Sequence, residues 1–528
     1  MQLVTKHYPR AQDNRLPYSH PLLKASRPKL LKAAAINFII LQLLFFALFC
    51  YLFGSLYQQG PRTHSMKIVW VDYDGGVIGE AVRNAYNSLR SQTFPTLVER
   101  PSSEYPSANS LYEAVCNTDY WAALYTVSGS SVNLGLTIAG LNTTQYNQSN
   151  VLAYIWNEAR YPTIVDSAIS SNMNALSNAA QIAYITLNGT EALPTIPPNN
   201  PAALSAFTNP WILSSIDIKP TVQGSRAVYN TIVIVLILLE DFFFLATVNG
   251  LYAQFKVYTR ALPSIIILIR EMISITYTMV GAMLIAAAIW AFKADWEVSG
   301  TQFALTWLTL WLFAHVNFLM LDVFTIWIPP VYVPMALVTW VITNVTSIII
   351  PFTLSNPFYR VGYALPAHSV YEVLIDIWSG GCNPHLYFAL PILFSYEVVG
   401  TIFTSLGVYR RCHMAVIAEE AAIAAASLRR RASLKAAPDQ EMRFVPERRD
   451  SERPHTAESI ESRISEEDNG QAADSTAADS EALERERTRR EEEAEQSALE
   501  IQRLETRASR ASNFPAFRLL GSHDSDDD

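Results

Sequence analysis

Uncharged, mostly apolar residues run from Ala33 to Leu56 (AAAINFIILQLLFFALFCYLFGSL). A long polar segment follows, and then five more apolar runs at about 228–248, 272–292, 304–328, 331–353 and 387–408. A helix needs about 20 such residues to cross a bilayer core, so the pattern predicts six spans. The intervening polar segment has a different rhythm. Lys67–Asp72 reads as a strand, Asp74-Gly75-Gly76 as a turn, and Ile78–Leu89 as an amphipathic helix carrying Ile78, Ala81, Val82, Ala85 and Leu89 at helical spacing. Tyr120–Val127 and Val151–Trp156 read as further strands, and Pro162–Leu187 as a long helix. This alternation predicts an α/β layer with its own core.

Charge orients the spans. Lys6, Arg10, Arg15, Lys24, Arg27, Lys29 and Lys32 precede the first run against Asp13 alone, which predicts a cytoplasmic N-terminus on a retained signal anchor. Six spans then return the C-terminus to the cytoplasm. The fold class expected is a polytopic α-helical membrane protein of six spans, with an α/β extracytoplasmic domain between spans 1 and 2 and a disordered cytoplasmic tail. Its parts are a basic N-tail (1–32), span 1 (33–57), the lumenal or extracellular domain (58–226), a five-span domain (227–409) with an external hairpin at about 354–386, a juxtamembrane helix (410–437) and the tail (438–528).

The net charge of −9 averages very different regions, since charge is concentrated after the last span. Of four cysteines, Cys50 falls in the first span and Cys412 just past the last, so only Cys116 and Cys382 share the oxidising side, and a disulfide between them is expected. The sequons at Asn142, Asn147 and Asn188 all fall in the same polar segment; Asn344 also heads one, but inside the fifth run.

Ionisable groups at membrane depth mark candidate chemistry, because they are costly there and tend to face a partner or a water-filled cavity. Glu240 and Asp241 in the second run, His315 and Asp322 in the fourth and Glu397 in the sixth form a candidate polar path, with proton coupling or a cationic substrate as its use. Asn317 and Asn344 read as packing groups. Asp72-Tyr73-Asp74-Gly75-Gly76 reads as a tight turn rather than a metal loop. The hairpin carries a short apolar piece, Val370–Trp378, that suits a re-entrant or interfacial helix. In the tail, Arg429-Arg430-Arg431-Ala432-Ser433 makes Ser433 a candidate phosphorylation site beside anionic lipid.

No Gly-x4-Gly-Lys, His-Glu-x2-His, Cys-x2-Cys or Gly-x-Ser-x-Gly motif occurs, so neither an ATPase of its own nor a zinc or α/β-hydrolase enzyme is expected. No cofactor, metal or nucleic acid is expected either.

The stretches WVDYDGGVIGEAV (70–82), LYEAVCNTDYWAALYTVSGSSVNL (111–134), NEARY (157–161) and NPFYRVGYALPAHSVYEV (356–373) resemble the fungal nitrosoguanidine-resistance membrane proteins. The order of one span, a domain and five spans also resembles ABC-2-type exporter membrane domains. In that pattern Arg270-Glu271 resembles an element that follows a cytoplasmic coupling helix, which here would be Ala261 to Arg270. The resemblance implies a plasma-membrane or secretory-pathway protein that exports or translocates amphiphilic compounds or lipids; the alternative is a non-transporting scaffold or regulator. The partners expected are the bilayer and amphiphilic small molecules or lipids, with a homodimer admitted.

The charge-based orientation has a direct test. Endoglycosidase treatment is expected to shift the mobility of the wild-type chain, and Asn→Gln at 142, 147 and 188 together is expected to abolish the shift; a shift persisting through Asn344 would overturn the span count.

Overall fold

The structure is a computed structural model that describes residues 21–141, 146–222, 226, 231–436, 489, 496 and 499–504. The start of the N-tail, Asn142, the side chain of Ser433 and nearly all of the tail from 438 lie outside the described residues. The chain divides into two compact units: Met1–Leu245, Glu271–Phe324 and Val331–Thr404 form one, and Ala246–Arg270, Thr325–Pro330 and Ser405–Asp528 the other.

The first unit opens with helix α1 (Pro21–Leu56), whose uncharged stretch from Ala33 is apolar on every side and almost wholly exposed, as suits a helix whose surroundings are lipid. The α/β domain follows in the order β1 (Lys67–Asp72), α2 (Val77–Leu89), β2 (Thr96–Glu99), α3 (Ala108–Cys116), β3 (Ala122–Thr126), α4 (Ser130–Ile138), β4 (Leu152–Trp156), α5 (Ser171–Ala192), α6 (Pro201–Thr208) and β5 (Ser214–Asp217). The five strands lie in the order β2-β1-β3-β4-β5, parallel except for β3 against β4. Because side chains alternate along a strand, Ile68, Trp70, Ala122, Leu124 and Tyr154 enter one core with α2 and α5. Val69, Val71, Ala123 and Ile155 enter another with Leu111 and Val115 of α3. Both faces are therefore covered, which explains why β1 and β4 are nearly continuous apolar runs. Helix α2 approaches β1 closely at Gly79, where an added Cβ would fall 1.9 Å from Asp72 Oδ2, so no larger residue fits unless the helix or the Asp72 carboxylate shifts.

Among the described residues, five more long helices complete a set of six long and apolar enough to cross a membrane. They are α7 (Thr231–Gln254), α8 (Pro263–Ala291), α9 (Gly300–Trp327), α10 (Val333–Ile349) and α12 (Leu386–Ala436), with the short helix α11 (Pro366–Trp378) between α10 and α12. The expected spans agree with these helices to within about six residues, except that α1 starts twelve residues earlier, inside the expected N-tail, α8 starts nine residues earlier and α12 runs on through the juxtamembrane segment. Arginines and alanines favour that continuation, and no Gly or Pro interrupts it between Val408 and Ala436.

Helix α11 is buried within the protein. All but Asp376 and Ile377 of its residues are buried, and Val370, Tyr371, Leu374 and Trp378 pack with Ile234 and Ile237 of α7, Ala282 of α8, Phe313 of α9 and Leu393 of α12. Its ends are satisfied by span side chains. Asn344 Oδ1 on α10 accepts the Ala367 N–H at 3.1 Å, and Gln302 Nε2 on α9 donates to the Ile377 and Trp378 carbonyls at 2.9 and 3.2 Å. Glu372, also buried, accepts from Asn383 Nδ2 and contacts His385 Nδ1, both at 2.6 Å. Burial alone would raise the Glu372 carboxyl, but these hydrogen bonds and the neighbouring histidines outweigh it and hold it at about 2.

The same hairpin fastens the α/β domain. Cys116 and Cys382 form a disulfide, Asn157 Nδ2 donates to the Cys382 carbonyl at 3.2 Å, the Tyr161 N–H donates to the Tyr371 hydroxyl at 3.1 Å, and Arg62 donates to the Ser355 carbonyl at 2.9 Å.

One expected element is absent. Ala261–Arg270 is not a separate coupling helix: a short turn covers Val257–Arg260, and Pro263 then opens α8, which continues unbroken through Arg270 and Glu271. Proline is tolerated in the first turn of a helix, and nothing after it breaks the run. In the second unit, Arg270 and Arg411 are both buried. They donate to the same Asn249 Oδ1 (3.1 and 3.2 Å) and the same Tyr258 hydroxyl (3.0 and 3.1 Å), while Arg411 also reaches Thr325 Oγ1 at 2.6 Å. Arg270 is thus a buried structural cation rather than a headgroup anchor.

The satisfied ends of α11 yield a stability prediction. Asn344→Leu and Gln302→Met, which keep bulk but remove the polar partner, are each expected to cost roughly 1–3 kcal/mol of unfolding free energy in nanodiscs. An unchanged unfolding midpoint for both would show that these ends do not depend on the two amides.

Candidate functional site

Helix α9 begins with Ser299-Gly-Thr-Gln302, in which Ser299 Oγ accepts the Gln302 N–H at 3.2 Å and Gln302 Oε1 accepts the Ser299 N–H at 2.8 Å, a reciprocal cap that fixes where the helix starts. From there Leu305, Leu308, Thr309, Leu312 and His315 recur at helical spacing and share a face. Leu390, Phe394 and Glu397 do the same on α12, and Ile275 enters from α8. Together with Trp311 they line a cavity of about 450 Å³ that is open on one side, where Leu305, Leu308 and Phe394 are exposed. At about 1.5 Å per residue, His315 lies about 22 Å along α9 from Gly300, near the middle of its length.

His315 is buried, and its Nδ1 stands 2.6 Å from Glu397 Oε1. Its Nε2 is 3.2 Å from Ser274 Oγ and 3.9 Å from Glu271 Oε2, both on α8. Glu397 Oε2 has no hydrogen-bond partner. The Ser274 hydroxyl carries one proton and two acceptors compete for it: the Glu271 carbonyl at 3.0 Å and the imidazole. When it donates to the carbonyl, Nε2 must carry a hydrogen, and the short Nδ1–Oε1 contact then needs one more proton, leaving the His–Glu pair neutral. When it donates to Nε2, Nδ1 donates to the carboxylate and the pair carries one negative charge. Rotation of one hydroxyl therefore accommodates two charge states without moving the backbone.

Of the five polar residues expected to form one path, only His315 and Glu397 line this cavity. Glu240 lies over Gly281 of α8, whose missing side chain makes room for it: a Cβ there would fall 2.6 Å from Glu240 Oε1. Asp241 is buried on α7 with Oδ2 lacking a hydrogen-bond partner, and Asp322 is buried two turns beyond His315 on α9. Glu271 stands beside His315, whereas Arg270 belongs to the other unit. Asn147 is exposed; the Asn188 amide is half-buried on α5 and donates to the Tyr184 carbonyl at 3.2 Å. The participation of Ser274 and the Ser299–Gln302 cap escaped the sequence reading, although Ser-x-x-Gln before an apolar run is a recognisable helix start.

The carboxylates of the α/β domain are engaged internally. Asp72 Oδ1 accepts from Thr126 Oγ1 at 2.6 Å and the Gly75 N–H at 3.0 Å, its Oδ2 pairs with Arg83 at 2.8 Å, and Asp74 accepts from Ser131. Glu158 and Asp166 share Arg226 at 2.5 and 2.8 Å, and burial beside Glu158 raises the neighbouring Asp217 to about 7. Among the described residues no group of three His, Cys, Asp or Glu is placed to hold a metal ion.

A family model described as a protein of unknown function, DUF3533, matches residues 37–402, which takes in the α/β domain and every span to within α12. The chain belongs to the DUF3533 family. A curated relative, an uncharacterized endoplasmic reticulum membrane protein of Saccharomyces cerevisiae, is 21% identical over 398 residues, covering 67% of this chain and 75% of the relative. No solved structure matches the chain. With six helices able to cross a membrane, these matches make the protein a multi-pass membrane protein. The likeness to nitrosoguanidine-resistance proteins rests on the sequence stretches quoted above, and that to ABC-2-type exporters on the order of the spans and on Arg270-Glu271.

The His315–Glu397 contact predicts thermodynamic coupling. In a double-mutant cycle with His315→Leu and Glu397→Gln, read from unfolding in nanodiscs, the two changes are expected to be non-additive by roughly 0.6–2 kcal/mol. Additive effects would show that the two side chains do not share a proton in the bilayer.

Proposed function

We propose that this DUF3533 protein binds an amphiphilic molecule in the cavity between α8, α9 and α12 and moves it across, or between the leaflets of, a secretory-pathway membrane. One observation carries the reading: an otherwise apolar cavity of about 450 Å³ is lined by Glu397, one of whose carboxylate oxygens has no hydrogen-bond partner. Ligand sites are commonly apolar enclosures of roughly 300–1,000 Å³ with a few placed polar groups. The choice of a secretory-pathway membrane follows the endoplasmic reticulum relative, and the choice of translocation over simple binding follows the resemblance to exporter membrane domains. The α/β domain would then stand on the lumenal side, as the sequons and the flanking charge suggest. The chain would act without hydrolysing ATP, drawing on a gradient or on the distribution of its substrate.

Flux in proteoliposomes tests this reading. A radiolabelled amphiphilic amine and a lysophospholipid, each measured with and without an imposed proton gradient, are expected to cross faster with the wild-type chain than in protein-free vesicles. Leu312→Trp, which fills the cavity without altering its charge, is expected to abolish the excess. Rates equal to protein-free vesicles for both compounds would overturn translocation and favour the scaffold role.

A further inference from the structure

A second cavity of about 590 Å³ adjoins the first at the hairpin end of the bundle, and Leu305, Thr309 and Leu390 line both. Its other walls include Gln302 near the start of α9 and Asp376, Gly380 and Gly381 at the end of α11. We propose that the two are successive chambers of one route, entered at the hairpin, that admits organic cations and exchanges each for a proton held by His315 and Glu397. This rests on the binding role proposed for the inner cavity and adds its entrance, its ligand class and its coupling.

Charge selects the ligand. Asp376 is the ionisable residue lining the outer chamber, and Glu397 with His315 the ionisable pair lining the inner one. No Lys or Arg lines either. An anion would meet carboxylates in both chambers with no cation to offset them. A cation meets a carboxylate at each stage and, in the inner chamber, Trp311 and Phe394, whose ring faces attract positive charge. The apolar remainder of the walls requires the rest of the ligand to be hydrophobic.

The proton exchange follows from the same geometry. Glu397 Oε2 faces no donor of the protein, whereas Oε1 shares a proton with His315 Nδ1 in the neutral state. A cation at Oε2 stabilises the negative state of the pair, in which Nδ1–H still donates to Oε1, so the hydrogen lost is the one on Nε2: it is released to water as the Ser274 hydroxyl turns to donate to the vacated nitrogen. The charge within the site is conserved: one positive charge enters and one proton leaves. Other groups facing His315 are Glu271, at 3.9 Å, and Ser274.

The entrance is a built part of the fold. Gly380 and Gly381 adopt φ of +70° and +99°, a conformation that L side chains rarely take, and they immediately precede Cys382, which is bonded to Cys116. Gln302, which lines the chamber, holds the end of α11 through two carbonyls. The rim is thereby tied both to the α/β domain and to α9.

Cysteine labelling of the full chain in nanodiscs tests the route. In a Cys50→Ser, Cys412→Ser background, Thr309→Cys reports the constriction shared by the chambers, and Thr301→Cys reports the outer one. Both are expected to react with a cationic methanethiosulfonate, and Thr301→Trp is expected to slow reaction at 309. Tetraphenylphosphonium is expected to protect position 309 at least about tenfold. Glu397→Gln is expected to remove that protection, and Asp376→Asn to slow the cationic reagent but not a neutral one. In weakly buffered solution, tetraphenylphosphonium should release close to one proton per site from the wild type and none from the Glu397→Gln variant. Labelling at 301 but not at 309, in protein that retains its disulfide and runs as a single species, would show separate cavities and overturn the route while leaving inner-cavity binding to be judged by flux. Protection by an anionic amphiphile instead of the cation would overturn the ligand class, and protection without proton release would overturn the exchange.

Discussion

The architecture depends on a helix that the rest of the protein covers on almost every side. Backbone groups in such a place must find partners within the protein, and the free N–H and C=O groups at the two ends of α11 are the hardest to satisfy. Asn344 supplies the acceptor for one end and Gln302 the donor for the other. Each belongs to a different long helix, so seating α11 fixes α9 and α10 relative to one another. The apolar face of α11 then provides the surface on which α7, α8 and α12 pack. The hairpin that carries it also holds the disulfide and the hydrogen bonds to Asn157 and Tyr161. Placement of the α/β domain and closure of the bundle are therefore consequences of the same buried element.

Much of this fold is legible in the sequence because long-period signals dominate it. Six apolar runs are each long enough to read as spans, and the short, nearly continuous apolar runs of Lys67–Asp72 and Val151–Trp156 mark strands that are covered on both faces. Short elements were lost where the local pattern is ambiguous. Thr96–Glu99 and Ser214–Asp217 form the two edges of the sheet, bury little and are four residues each, too short for a periodic signal, yet pairing with β1 and β4 makes them strands. The depth of α11 is also invisible locally: thirteen amphipathic residues look the same at an interface as inside a bundle, and only the partners Asn344 and Gln302 decide between them.

The candidate site is less legible for a related reason. Hydropathy flags an ionisable residue in a span but says nothing of which neighbouring helix its side chain faces. His315 and Asp322 share a stripe on α9 by spacing, yet His315 meets Glu397, 82 residues further along, and its other neighbours come from α8. Glu240 illustrates the opposite case, since the decisive feature is a residue without a side chain, Gly281, on another helix. Reading such pairs needs the packing order of the helices, which apolar periodicity leaves open when a helix is hydrophobic on all sides.

The buried carboxylates separate by how their oxygens are occupied, and that difference assigns their roles more sharply than burial does. Glu372 is ringed by Asn383, His385 and His368, and Asp72 by Thr126, Gly75 and Arg83, so neither has capacity to take a ligand without dismantling part of the fold. Glu397 has one oxygen committed to His315 and the other without a partner, in a residue that lines a cavity rather than a packed interface. Its helix is also the one most able to adjust. Pro391 lies between the lining residues Leu390 and Phe394, and a proline inside a helix removes one backbone hydrogen bond and weakens the turn before it. A committed oxygen keeps Glu397 in place, an uncommitted one gives it something to bind, and a locally weakened helix lets the cavity wall move when it does.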